Sequence, residues 1–230
     1  MSRTIDQLVN QQVLRWLEEQ RSAPGGPDQA RTPDVQGPMI CISREFGALG
    51  GEMGERVAAQ LAFGFYAQEL VHEIAKQARV RQQVVESLDE RLQSRVEEWV
   101  GAMMEGGRFA TSDYLRNLSR VVLTLGRHGR GVIIGRGAQF ILEPARTLRV
   151  RCYGPLDARV SYIAEREHLS PTEARAKVLR VDAERIAFYR QHFNADVADP
   201  AHYDMLINTG SVSLDSAAEL VVHAFRAKLG

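Results

Sequence analysis

The stretch PMICISREFGALGGEMGERVAAQL, residues 38–61, decides the fold. Met39, Ile40, Cys41 and Ile42 form a short unbroken apolar run, which reads as a strand buried on both faces. Residues 51–62 read as an amphipathic helix. Between the two, Gly47, Gly50, Gly51 and Gly54 crowd into eight residues. Glycine permits positive φ and close backbone approach, and a helix N-terminus directed at such a loop makes a nest for an anion. The loop has no lysine of the GxxxxGK[ST] kind, but Arg44 lies at its start. A phosphate-binding loop and a tight strand–helix turn both fit these residues.

The alternation continues outward. Residues 63–78 read as a short strand or turn followed by a helix. Val84, Leu88, Leu92, Val96, Trp99 and Met103 recur at three- or four-residue steps and predict one long helix over 80–104, with a break at Gly106-Gly107 and another helix near 111–128. GVIIG (131–135) predicts a second buried strand, and TLRVRCYG (147–154) a third, placed at an edge because arginines enter its alternation. Residues 155–167 read as helical. Ser170-Pro171-Thr172-Glu173 is a capping box with proline at the first helical position, and it opens a helix running toward His192. YDMLINTG (203–210) is the last strand and 214–228 the last helix. Strands separated by helices predict a parallel sheet covered on both faces.

Upstream, residues 4–20 carry Ile5, Leu8, Val9, Val13, Trp16 and Leu17 near helical spacing, and a Pro/Gly/polar tract follows over 22–38. The expected organisation is an amphipathic helix within 1–21, a flexible linker over 22–37, and a main domain over 38–230. The first helix fits packing on its own domain or on a sister subunit, and the 80–104 seam fits packing within the monomer or across a dimer, so a homodimer would form through either one.

The 230 residues balance 29 Lys+Arg against 29 Asp+Glu, so no global field draws the chain to nucleic acid or to an anionic membrane. Nothing approaches the ~20 apolar residues of a membrane span. The N-terminus carries acid and amide groups where a secretory signal would be apolar. The two cysteines, Cys41 and Cys152, both lie in apolar strands, which suits a reducing compartment; a cytoplasmic location is expected. The six histidines show no metal-ligand spacing, so no metal site is expected from side chains.

Two further arrangements could bind an anion. Arg136, in Gly135-Arg136-Gly137, follows a buried strand directly, and the carboxyl ends of strands are where ligands bind in open α/β sheets. A guanidinium there suits bidentate contact with phosphate. The segment from Arg159 to Arg185 is rich in arginine, and Asp182 and Arg185 share one helix face. Most such charges on solvated helices only face water.

The order of ISREFG, FYAQELVHEIA, VIIGRGA and YDMLINT resembles the cytidylate kinase-like family, a branch of the P-loop nucleoside monophosphate kinases, over roughly residues 38–226. The resemblance implies a three-layer α/β/α fold with a parallel sheet, a helical insertion at about 80–128 and a mobile lid at about 155–192. It implies ATP and Mg2+ as cofactors and transfer of the γ-phosphoryl group to a nucleoside monophosphate, CMP or dCMP by default. Carried over by position, Ser43, Arg44, Gly47, Ala48, Leu49, Gly50, Gly51 and Glu52 surround the ATP phosphates. Arg136, Asp182 and Arg185 contact the acceptor, and Arg44, Arg136, Arg159 and Arg185 supply catalytic charge.

This chain departs from the family pattern at several places. Gly50 stands at the lysine position, Gly51 at that of the magnesium-binding Ser/Thr, and Leu49 replaces a glycine. Phe65-Tyr66-Ala67 replaces the family's FYD, and Gly137 stands where true cytidylate kinases carry aspartate. Two other readings follow from these departures: a non-catalytic nucleotide-binding protein on the same fold, and a kinase for a different small acceptor.

Overall fold

The computed structural model describes residues 7, 11–14, 16, 36–106 and 112–230. A five-stranded sheet forms from β1 (Met39–Arg44), β2 (Gly64–Tyr66), β3 (Gly131–Ile134), β4 (Thr147–Tyr153) and β5 (Met205–Asn208). The strand order is β2-β3-β1-β4-β5, and each paired neighbour runs parallel. β1 therefore lies at the centre, as its two-sided apolar run requires.

Side chains alternate across this sheet. Ile40, Ile42, Val132, Ile134, Leu148, Val150 and Cys152 face one way, against α1 (Gly50–Leu61) and α9 (Leu214–Leu229). Met39, Cys41, Tyr66 and Ile133 face the other way, toward α2 (Gln68–Lys76), α3 (Ala78–Val85), α4 (Glu90–Glu105), α5 (Asp113–His128) and the short α6 (Ala138–Ile141). The result is the expected three-layer α/β/α arrangement. A helical hairpin, α7 (Leu156–Glu167) and α8 (Pro171–Phe193), follows β4 and has its own small core of Val160, Ile163, Ala174 and Val178. Its turn is set by the capping box: Glu173 N donates to Ser170 Oγ at 3.3 Å and Ser170 N to Glu173 Oε2 at 3.0 Å.

Two expectations are corrected. β4 is interior, not an edge. Its arginines point to one face and find partners there: Arg149 binds Asp204, while Arg151 reaches Ser43 and lies over the Tyr203 ring. The helix expected over 80–104 is two helices. The chain breaks over Glu86–Asp89, where Asp89 caps α4 by accepting from Leu92 N at 2.9 Å. The break also rotates the buried stripe. Val96, Val100 and Met104 turn inward, Met103 is only partly buried, and Trp99 stays 44% exposed.

Within the expected N-terminal helix, residues 11–14 and Trp16 are helical; Trp16 is buried and stacks on His128 with ring centroids 3.8 Å apart. Residue 7 is helical too; the other residues of that expectation, and the linker through residue 35, lie outside the described residues. Gln36 is built into the domain, donating to Thr147 Oγ1 at 2.9 Å and accepting from Glu143 N at 2.8 Å. Cys41 and Cys152 are free, buried on opposite faces of the sheet, and burial pushes both thiols up, Cys152 to about 12. Among the described residues, no helix is long and apolar enough to cross a membrane.

Candidate active site

β1 ends at Arg44, and α1 begins at Gly50. The five residues between them turn the chain with Gly47 at φ 82 and Leu49 at φ 55, the latter a left-handed conformation costly for a side-chain-bearing residue. Leu49 occupies the N-cap of α1 and gives no side-chain cap, so the first-turn amides keep their donors for another partner. Gly51 has open space where a Cβ would stand, whereas a Cβ at Gly47 would lie 2.9 Å from the Arg159 carbonyl. Helix α7 thus rests directly on the loop.

That contact is held by a polar clamp. Arg159, 8% exposed, donates to Gly154 O at 3.0 Å, Phe46 O at 3.1 Å and Asp182 Oδ2 at 2.6 Å, and its Nε lies 3.3 Å from Glu45 Oε2. Asp182 Oδ1 accepts from Phe46 N at 2.8 Å. Nearby, Glu52 Oε1 accepts from Tyr162 Oη and from Arg166 Nη1, each at 2.7 Å. The loop and the α7–α8 hairpin therefore form one hydrogen-bonded unit.

A second group of arginines is arranged differently. Arg44 lies so close against Gly135 that a Cβ there would collide with the guanidinium, and Gly135 also holds a positive φ of 68. Arg185 donates to Arg44 O at 3.0 Å and lies over the Phe46 ring. Arg136, held at φ 56, lies over the Phe188 ring. Burial lowers the Arg44 pKa to about 10, and the neighbouring Arg185 and Arg136 charges add to that fall; burial also lowers Arg185, with Arg136 adding to the fall and Asp182 opposing it. The side-chain Nε atoms of Arg136 and Arg185 are buried without a hydrogen-bond partner among the described residues. Three guanidinium groups crowded this way favour an anion. The same field reaches His72 and His192, both lowered by burial first and by Arg136 second.

Two cavities adjoin here. One, of about 310 Å³, is lined by the loop from Arg44 through Glu52 apart from Ala48, and by Glu55, Tyr162 and Arg166. The other, of about 340 Å³, is lined by Arg136, Val181, Glu184, Phe188 and Tyr189. Arg44, Phe46, Gln68, Glu69 and Arg185 line both. All of this lies at the carboxyl ends of β1, β2 and β3, where the strand connections diverge.

Of the residues expected from the sequence, Arg44, Gly47, Leu49, Gly50, Gly51, Glu52, Arg136 and Arg185 line one or both cavities. Ser43, in β1, and Ala48, in the loop, are buried, and Arg159 and Asp182 lie in the clamp; none of the four lines either cavity. Sequence reasoning missed Phe46, Gln68, Glu69, Phe188 and Tyr189. A usable signal existed for Gln68 and Glu69, since they open the helix that follows the carboxyl end of a strand after the single residue Ala67.

The model of the Cytidylate kinase-like family matches residues 39–211, which takes in every cavity-lining element just described. The chain belongs to the cytidylate kinase-like family. It is 28% identical over 130 residues to a cytidylate kinase of Methanothrix thermoacetophila, covering 55% of this chain and 73% of that protein. It is also 28% identical over 120 residues to a uronate isomerase of Corynebacterium glutamicum, covering 52% of this chain but only 23% of that protein. Among solved structures, an uncharacterized protein from Eubacterium ventriosum shares the fold, with a TM-score of 0.64 and 20% identity over 83% of this chain and 98% of that one.

Proposed function

We propose that this member of the family is a phosphotransferase that moves the γ-phosphoryl group of ATP to a small anionic acceptor. The family makes CMP and dCMP the first acceptors to test. The observation that carries this reading is the pair of adjoining cavities, one at a helix N-terminus and one at Arg136, that share Arg44, Arg185 and Glu69. Phosphoryl transfer asks for in-line positioning and concentrated positive charge more than for covalent chemistry. The uncapped first turn of α1 and Arg44 would hold the ATP phosphates in the first cavity. Arg136 and Arg185 would hold the acceptor's anionic group in the second, with Arg185 and Arg44 facing the charge that develops between them. Arg159 and Asp182, through the clamp, would keep the loop amides in place and water out.

The residues present fit a magnesium ion carried by the nucleotide: no loop hydroxyl stands at Gly51, but Glu52, Glu55 and Glu69 line the same cavity and can accept hydrogen bonds from its water. When bound, the ion would neutralise phosphate charge.

A second reading is a nucleotide-binding protein without turnover. It is favoured by two facts about the described residues: no lysine lines either cavity, and Phe46 N is already bonded to Asp182. A coupled ADP-release assay with magnesium and a panel of monophosphates, run beside calorimetry with ATP, separates the two. Acceptor-dependent ADP release supports the phosphotransferase. Heat of ATP binding without acceptor-dependent ADP release supports the second reading, and no heat at all defeats both.

A further inference from the structure

Glu69 is the one carboxylate that lines both cavities among the described residues. The other acids around them are engaged or turned outward: Glu45 with Gly154 N and Arg159, Glu52 with Tyr162 and Arg166, Glu184 with Arg180, and Glu55 in solvent. Glu69 has no hydrogen bond or ion pair among the described residues, although its charge is felt by both Arg44 and Arg185. It stands in the first turn of α2, where the helix dipole favours an anion. A free carboxylate at the junction of donor and acceptor spaces has a chemical consequence. A phosphate oxygen attacking another phosphate carries no proton to remove, and a neighbouring carboxylate would only repel it. A hydroxyl group must lose its proton as it attacks, and a positioned carboxylate is what accepts it.

We propose that Glu69 is the general base of this site and that the acceptor presents a hydroxyl group at the point of transfer, with its own phosphate or carboxylate held by Arg136 and Arg185. This rests on the phosphotransferase reading and narrows its acceptor. The Glu69 carboxylate takes the hydroxyl proton. An oxygen lone pair of the acceptor forms the new bond to the γ-phosphorus. The bond from that phosphorus to the β–γ bridging oxygen breaks, and ADP leaves with the electron pair. The second cavity suits such a molecule: about 340 Å³, cationic at Arg136 and Arg185, and walled by Phe188 and Tyr189.

The test uses the full chain and its Glu69→Gln variant in the ADP-release assay with CMP, dCMP, glycerol 3-phosphate, ribose 5-phosphate and D-glycerate. The expected result is faster turnover of at least one hydroxyl-bearing anion than of either nucleotide. In Glu69→Gln, kcat for that acceptor falls by about 10²–10⁴ while its KM changes little, and the pH–rate profile loses its acid limb. A thermal melt of the variant should overlay that of the parent, because Glu69 is exposed and unbonded. Preferred turnover of CMP or dCMP, with Glu69→Gln within threefold of the parent, overturns the proposal and leaves the phosphotransferase standing. Recovery of the variant at high magnesium also overturns it, since Glu69 would then serve the metal. Absence of turnover with every acceptor overturns it together with the phosphotransferase reading.

Discussion

Arg159 and Arg185 come from the two helices of one hairpin and reach the same loop, yet they are used in opposite ways. Arg159 meets Glu45 and Asp182 and spends its donors inside the protein, on Gly154 O, Phe46 O and Asp182. Arg185 makes one bond to Arg44 O, keeps an unpartnered Nε and crowds with Arg44 and Arg136; it feels the Asp182 and Glu69 charges but bonds to neither among the described residues. An arginine whose donors are bonded to acids and carbonyls is a structural tie, and one left with a buried free donor among other arginines is a binding site awaiting charge. The difference is set by where the acids fall, and it should appear as a split between kinetics and stability.

The largest effect tests that split. Arg136→Ala removes a member of the unpaired group and should lower turnover by about 10²–10³, the scale of losing one donor to developing charge, while moving unfolding free energy by less than about 1 kcal/mol. Arg159→Ala should do the reverse first: it strands Glu45 and Asp182 and should cost about 2–4 kcal/mol of stability in denaturant titration. Equal stability loss in both variants would abolish the distinction.

A smaller effect probes another partnered arginine, far from the cavities. Arg149 and Lys228 both bind Asp204, at 2.9 and 2.8 Å, tying β4 and α9 to the turn before β5. Burial alone would raise the Asp204 carboxyl, but these hydrogen bonds outweigh it and hold the group at about 2. A carboxyl whose folded pKa is depressed adds stability that is complete above its unfolded value and lost as pH falls toward the folded one. The clasp should therefore weaken between about pH 4 and about pH 2. Asp204→Asn should flatten that part of the stability–pH curve, read from thermal melts, and leave turnover at neutral pH unchanged.

The same contrast explains what could be read in the chain before its structure. Strands β1 and β3 and the capped helix α8 were legible because apolar runs and a capping box are local. Arg136 and the glycine loop were legible because they follow strands directly. What failed was non-local. The arginines of β4 looked like an edge because Asp204, which neutralises Arg149, lies 55 residues away. Spacing along α8 put Asp182 beside Arg185, whose charge it supports, but Asp182 accepts its side-chain hydrogen bond from Arg159, 23 residues earlier on α7. The break before α4 was local and visible in principle, since Asp89 is an N-cap residue type, but the apolar period ran through it. Glu69 carries no motif of its own; it reaches the cavities because β2 brings it to the same sheet edge as Arg44.

Two glycines of α1 give the finest version of the comparison, because one serves packing and the other faces the cavity. A Cβ at Gly54 would stand 2.6 Å from Ile134 Cδ1 and 3.2 Å from Ile42 Cδ1, so Gly54→Ala should overpack the helix–sheet contact and cost about 1–3 kcal/mol. A Cβ at Gly51 meets nothing within 4 Å, and in a helical turn alanine is favoured over glycine by up to about 1 kcal/mol. Gly51→Ala should therefore melt slightly higher than the parent. Its methyl group would also enter the space beside the uncapped amides of α1, so calorimetry should show weaker ATP binding in the more stable protein. A variant that gains stability and binds ATP as before would mean that the phosphates do not rest against this turn, and Arg44 would have to hold them from the other side.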